Sequence, residues 1–283
     1  MLVRGFSKAL FSTWFHVPEI RSILDAGEGI NFSLGGRLAK VDAVFLTHGH
    51  TDHFAGLLNI LVARTRLSSV EEMPPLTVYY PGRDTNLSLY LEYVGRHLEA
   101  NDFSNVLKLV PVSPGEDYPL QMLRRHFVRV FPVRHGALPA VGYCIFETRD
   151  KLRDEFAQRT PREVGTLIMQ LGKERILESV DVPLVCYSGD SDGPIDFVVE
   201  CPRLLLHEAT FLSNEDREGR NHATLPEALE AAIRIRPQKL ILFHFSARYF
   251  AEEIKNALAG LLDSSRMDAS KVAFALPGKL VEL

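Results

Sequence analysis

The segment 47–53, THGHTDH, carries four side chains able to offer a lone pair to a cation: His48, His50, Asp52 and His53. Packing has no use for such a density of nitrogen and oxygen donors, whereas a divalent ion takes neutral imidazoles and carboxylates as its ordinary ligands. In an extended turn, residues two apart point the same way, so His48 and His50 can pinch one ion. Asp52 and His53 come where the chain turns helical and diverge from the first pair, which suits them to a second ion close by. Two ions about 3.5–4 Å apart hold a water between them, lower its pKa and present it as hydroxide to a phosphoryl or carbonyl group. A solvated histidine-rich loop is the competing reading; it accounts for one such histidine better than for four donors together.

The elements that must position these donors are legible on either side. Residues 41–46, VDAVFL, have the length and β-branched content of a buried strand. Residues 51–64, TDHFAGLLNILVAR, read as a helix with Phe54, Leu57, Leu58 and Leu61 on one face. The motif thus falls on the turn at the carboxyl end of a strand, where irregular backbone can aim several side chains at one point. Four later apolar runs end in a comparable way. FVRVFPV (127–133) runs into His135, VPLVCYSGD (182–190) ends in Asp190, RLLLHEAT (203–210) contains His207 and Glu208, and KLILFHFS (239–246) contains His244. Strand ends on one rim would bring them together. His48, His50 and His135 then hold the first ion, Asp52, His53 and His244 the second, with Asp190 bridging. His222 and Glu208 remain, and an imidazole oriented by a carboxylate is the usual device for delivering a proton to a leaving oxygen. Read on local spacing alone, HEAT and HAT are a cap and a turn. The sequence Thr224-Leu-Pro-Glu227 is a capping box that fixes the backbone just after His222. Asp25, in LDAGEG, serves either as a carboxylate that orients a ligating histidine or as a plain turn-former.

The remainder of the chain bounds the answer without naming it. Its 283 residues are 46% hydrophobic and 24% charged, the balance of a soluble globular protein. A net charge of −4 excludes a strongly basic surface over the whole molecule but leaves room for a local patch. Cys144, Cys186 and Cys201 lie on or beside apolar runs without CxxC spacing, and read as small buried hydrophobes of a reducing compartment, not disulfide partners. The first fifteen residues lack a signal-peptide core, and no run reaches membrane-spanning length, so the default is a cytoplasmic protein with no membrane partner. Strand-rich and helical segments alternate without a long linker, including a helix over residues 86–100 with Leu87, Leu91, Val94 and Leu98 on one face. That pattern predicts one layered α/β domain over 1–283. The least regular stretch, 149–165, has nearly cancelling charge and reads as a solvated excursion, with an RNA-contacting arm as the alternative.

THGHTDH resembles the HxHxDH signature of the metallo-β-lactamase superfamily, and His135, Asp190 and His244 follow that superfamily's order of ligand motifs. HEATF (207–211), HATLPEA (222–228), HFSARY (244–249) and LPAVGYCI (138–145) resemble ribonuclease Z, the tRNA 3′-processing endonuclease. The likeness runs from LDAGEG to HFSARY. It implies a four-layer αββα sandwich in a single domain, two zinc ions at the rim between the sheets, and a homodimer. It implies that Asp52 is both metal ligand and participant in water activation, and that Glu208 and His222 form the proton-delivering pair. The implied reaction is attack of a metal-bound hydroxide on a phosphodiester, leaving a 3′-hydroxyl on the tRNA body and a 5′-phosphate on the trailer. Manganese or iron also suit such ligands.

The chain departs from the family in several places. Its opening, GFSKALFSTWF, is short where the family has a Gly-rich segment with Pro and Arg-Asn. Ala223 stands for the family serine, Ser191-Asp192 for the usual Thr-Arg, and 149–165 is a reduced arm. The alternative function keeps the site and changes the substrate to a small phosphodiester or another metabolite. A metal-stabilised binding protein without turnover is a third reading, disfavoured by the spare acid.

Overall fold

The computed structural model describes residues 1–67, 74–195, 197–217, 219–264 and 267–283. Among these residues two seven-stranded sheets lie face to face. In the first, β1 (Arg4–Lys8), β2 (Ser12–Val17), β3 (Ser22–Leu24), β4 (Ala43–Phe45), β5 (Leu76–Pro81) and β6 (Leu107–Val112) lie side by side, and β14 (Leu280–Glu282) pairs with β1. The second runs β13 (Val272–Phe274), β12 (Lys239–Phe243), β11 (Leu204–Glu208), β10 (Leu177–Tyr187), β9 (Leu138–Leu152), β8 (His126–His135), β7 (Asp117–Pro119).

Side-chain alternation makes the layers. Phe45 of β4, Tyr187 of β10, Leu206 of β11 and Phe243 of β12 all point into the core between the sheets. Their neighbours Val44, Cys186, Leu205 and Leu242 point outward to cores covered by helices. On the first sheet the cover is α3 (Leu57–Leu67) and α4 (Thr85–Glu99), the latter burying Leu87, Leu91, Val94 and Leu98 as its periodicity predicts. On the second it is α7 (Leu225–Ile235) and α8 (Ala251–Ser264). The result is the four-layer αββα order expected from the likeness. No helix among the described residues is long and apolar enough to cross a membrane.

Strand direction gathers the donors. β3, β4, β5 and β6 are mutually parallel, as are β10 to β13. β8 is antiparallel to β9, which is antiparallel to β10, so β8 points the same way as β10. The carboxyl ends of β3, β4, β8, β10, β11 and β12 therefore deliver Asp25, His48, His135, Asp190, Glu208 and His244 to one rim.

Three expectations need correction. The predicted helix over 51–64 is broken into α2 (Thr51–Phe54) and α3, with Ile60 buried where Leu58 was expected and Leu58 only half-buried. The break comes at Gly56, whose N–H donates to the Ala26 carbonyl at 2.7 Å and whose Cα lies too near the Gly27 carbonyl oxygen for a side chain. The stretch 149–165 is solvent-facing as expected, but it is irregular only over 153–160, which hold turns and one short 3₁₀ turn. β9 and β10 extend as one long hairpin with its register running to Leu152 opposite Leu177, and α5 (Pro161–Leu171) and α6 (Lys173–Ile176) sit at its tip. The apolar signal is missing there because the hairpin leaves the core. Its ladder is held by backbone bonds and surface pairs such as Thr148 to Asp181 at 2.7 Å. Last, Cys144 and Cys186 face each other across β9 and β10 and are disulfide-bonded, and Cys201 is exposed. Periodicity along one strand says nothing about which residue stands opposite it.

A Cβ at Gly27 would lie 2.5 Å from the Asp52 carbonyl oxygen and 2.5 Å from the Thr13 nitrogen, both backbone. Gly27→Ala must push α2 away from β2, so it should cost about 1–3 kcal/mol in urea unfolding; unchanged stability would show that α2 is not seated as described.

Candidate metal centre

All seven predicted ligands meet. His48, His50, His135 and Asp190 each offer a ligand atom within 4.8 Å of one another; Asp52, His53 and His244 form a second group, and Asp190, His222 and His244 a third that overlaps it. Asp190 is central: its Oδ2 lies 3.3 Å from His53 Nε2, 3.4 Å from His244 Nε2, 3.7 Å from His48 Nε2 and 3.8 Å from His222 Nδ1. Asp52 Oδ2 lies 3.6 Å from both His53 Nε2 and His244 Nε2. His50 Nδ1 is 3.0 Å from His48 Nε2 and 3.1 Å from His135 Nε2.

The rings are aimed from behind. His53 Nδ1–H donates to Asp25 Oδ2 at 2.7 Å, and His135 Nδ1–H to the Asn221 carbonyl at 2.5 Å. Thr47 Oγ1 donates to Asp25 at 2.9 Å and accepts from His48 Nδ1 at 3.0 Å. Thr210 Oγ1 repeats the arrangement, donating to Glu208 Oε2 at 2.7 Å and accepting from His244 Nδ1 at 2.9 Å. Each relay anchors the ring through Nδ1 and turns Nε2 inward, the orientation by hydrogen bonding that metal-binding histidines need.

The fit to cations can be judged from atoms left without partners. His53 Nε2, His244 Nε2 and Asp190 Oδ1 are buried and have no hydrogen bond, a costly state for polar atoms unless an ion takes it up. Burial also lowers the pKa of His48, His50 and His135, keeping these three rings neutral and able to coordinate. On the other side, burial opposes charge on His53, but the Asp190 and Asp25 carboxylates lift its pKa well above the ordinary value. Burial would likewise protonate Asp52 and Asp190, yet neighbouring imidazoles hold Asp52 at about 2 and Asp190 well below the carboxylate range. The carboxylates demand positive charge at this point, which divalent cations would supply.

Beside this cluster, His222 Nδ1 donates to Glu208 Oε1 at 3.2 Å. Burial lowers its pKa, but the Glu208 carboxylate more than reverses this and raises it to about 9. Glu208 is a junction: its carboxylate also accepts from Ser191 N at 2.9 Å, Thr210 N at 3.0 Å and Ala223 N at 3.0 Å. One buried carboxylate thus positions the loop after Asp190, the His244 ring and His222. The capping box at Thr224 is present, with Glu227 Oε2 accepting from Thr224 N at 2.8 Å.

Asp25 takes the first of its two expected roles, accepting from Thr47, His53 and, at 2.6 Å, the Tyr187 hydroxyl. Sequence reasoning missed Tyr187, Thr47 and Thr210 as orienting groups. The two threonines stood inside quoted motifs, but only the fold shows what their hydroxyls touch.

Residues 22–245 match the family described as a beta-lactamase superfamily domain. The ribonuclease Z of Pyrococcus horikoshii is 32% identical over 272 residues, covering 85% of this chain and 84% of its own. The chloroplastic tRNase Z of Arabidopsis thaliana is 29% identical over 268 residues, covering 92% and 71%. Among solved structures, the short form of human tRNase Z aligns with a TM-score of 0.64 at 19% identity, covering 99% of this chain and 98% of its own. At that identity the last likeness speaks for the fold.

Asp25→Asn keeps the shape of the side chain but removes the charge that holds His53 and Thr47. Zinc affinity, measured by competition with a chromophoric chelator, should fall by about 10- to 100-fold; an unchanged affinity would mean that Asp25 merely fills the turn.

Proposed function

Because the chain belongs to the beta-lactamase superfamily and, within it, to the ribonuclease Z family, we propose that it is an endoribonuclease using two divalent metal ions, zinc by preference, to cut the 3′ trailer from precursor tRNA. The observation that carries this reading is a two-part donor set built around Asp190, with His222 and Glu208 poised beside it. His48, His50 and His135 would hold one ion and Asp52, His53 and His244 the other, with Asp190 shared. Such ions, when bound, polarise a phosphoryl oxygen and acidify the attacking water.

The chain's own groups do the rest. Asp52, ionised with a pKa of about 2, accepts a hydrogen bond from the attacking water and orients it. As the water oxygen bonds to phosphorus it gives up one proton, by way of Asp52 to solvent; the bond from phosphorus to O3′ breaks, and the departing oxygen takes up another because an alkoxide is a poor leaving group. His222 carries that proton at neutral pH, since its pKa is about 9, and Glu208 fixes the ring through Nδ1 so that Nε2–H is the donor. The products are a 3′-hydroxyl on the tRNA body and a 5′-phosphate on the trailer. The same reading makes the protein a homodimer, on the family likeness alone, and sedimentation would test the dimer.

A second reading, a hydrolase of small phosphodiesters without tRNA recognition, has one observation in its favour. On and beside the β9–β10 hairpin the cations are largely spent on local partners: Arg125 before β8 and Lys173 of α6 on Asp150, Arg149 on Glu147, Lys151 on Asp154. Few remain for an RNA backbone. That reading predicts turnover of an aryl phosphodiester with no tRNA affinity at low salt, where electrostatic binding is strongest.

Purified zinc-loaded protein should cleave precursor tRNA at the trailer, lose activity to a chelator and regain it with zinc. His222→Ala should lower kcat on the RNA by about 10²- to 10⁴-fold, the usual worth of general acid catalysis. Cleavage that survives both treatments would contradict the assignment.

A further inference from the structure

Behind His222 lies a loop to which the reaction above gives no task. It leaves the end of β11, passes Phe211 and returns to the head of α7, where the Phe211 carbonyl accepts from Leu225 N at 2.7 Å. Arg217 on this loop turns inward, with 12% of its side chain exposed. Its Nε and Nη2 both donate to the His222 carbonyl, at 2.9 and 2.7 Å. Nη2 also donates to the Asp192 carbonyl at 2.8 Å, and Nη1 to Glu227 Oε1 at 3.0 Å. Its donors thus meet the backbone of the proton carrier, the backbone two residues beyond Asp190, and the carboxylate that closes the α7 capping box. A guanidinium donates from three separate nitrogens in one plane and so spans partners set apart, whereas the three donors of a lysine radiate from a single nitrogen.

We propose that Arg217 is a positioning residue for proton delivery: by clasping the His222 and Asp192 carbonyls it sets where the His222 imidazole stands over the departing oxygen, without touching RNA itself. The role rests on the function proposed above. It differs from a plain loop staple because the loop has other anchors. Ala223 N donates to Glu208 at 3.0 Å and the Asn221 carbonyl accepts from His135 at 2.5 Å. With Arg217 gone, those bonds keep the loop in place while the His222 peptide gains freedom to tilt. Misplacement of a reacting group by about 1 Å can cost on the order of 100-fold in rate.

The cavity behind the loop offers a specific test. It is about 870 Å³ and is lined by Arg217, Arg134, Asp192, Asn214 and Glu227 among others, ample room for a free guanidinium ion. In zinc-loaded full-length protein, Arg217→Ala should lower kcat on precursor tRNA by about 10- to 100-fold with little change in KM or in metal content. An aryl phosphodiester with a nitrophenolate leaving group, which departs without a proton, should lose far less. Millimolar guanidinium should restore part of the RNA activity, and Arg217→Lys, which reaches fewer of the partners, should fall between wild type and Arg217→Ala. In a His222→Ala background the Arg217→Ala change should add little further loss, because the two act through one ring. Equal losses on both substrates, a raised KM with kcat kept, or full additivity with His222→Ala would each overturn the role while leaving the enzyme's identity standing. Wild-type protein inert toward precursor tRNA would instead remove the reading on which the role depends.

Discussion

The constraint on which the rest of the structure depends is that two fully buried carboxylates, Asp25 and Glu208, must find donors. A carboxylate shut away from water is costly unless its oxygens are hydrogen-bonded, and bonds to a charged group contribute about 1.5–3 kcal/mol each. Asp25 ends β3 in the first sheet and takes its donors from Thr47 beyond β4, from His53 on α2, and from Tyr187 at the end of β10 in the second sheet. Glu208 ends β11 and takes its donors from the loops that carry Asp190, Thr210 and His222. Satisfying these two groups fixes where both sheets meet at the rim. Ligand geometry is then a by-product of structural necessity, since the donors that quiet the carboxylates are the side chains that aim the metal-facing rings.

The same economy sets the electrostatics. Three imidazoles made neutral by burial stand on one side, and on the other stand two carboxylates kept ionised against burial by the rings around them. His222 lies at the margin, close enough to Glu208 to stay protonated yet with 19% of its side chain exposed. Two buried carboxylates thus organise the rim, Asp190 among the inward-facing rings and Glu208 behind His222.

Much of this was legible in the chain because each donor sits at the end of an apolar run, and parallel strands of a layered α/β fold bring such ends to one rim. His48 to His53, His135, Asp190 and His244 needed only that rule, and the order of motifs carried the family likeness. What stayed hidden depends on partners far apart in sequence. Arg217 belongs to no motif, and its value comes from carbonyl groups that only the folded loop presents. Cys144 and Cys186 read as ordinary core residues because their pairing is a matter of register between strands. The outer end of the β9–β10 hairpin, Arg149 to Leu152 on β9, read as irregular because a ladder that leaves the core loses the alternation of apolar and polar residues by which strands are recognised. The break at Gly56 escaped notice because helical periodicity continues across it, while the close approach of the Gly27 backbone lies in another part of the chain.

The claim at the centre of this account is that the rim holds a pair of cations sharing Asp190. The most direct measurement is anomalous diffraction from zinc-saturated crystals, with metal content per chain determined on the same protein. The account predicts two ions per chain, one among His48, His50, His135 and Asp190 and the other among Asp52, His53, His244 and Asp190. A single ion, or a pair that leaves Asp190 without a metal bond, would contradict it.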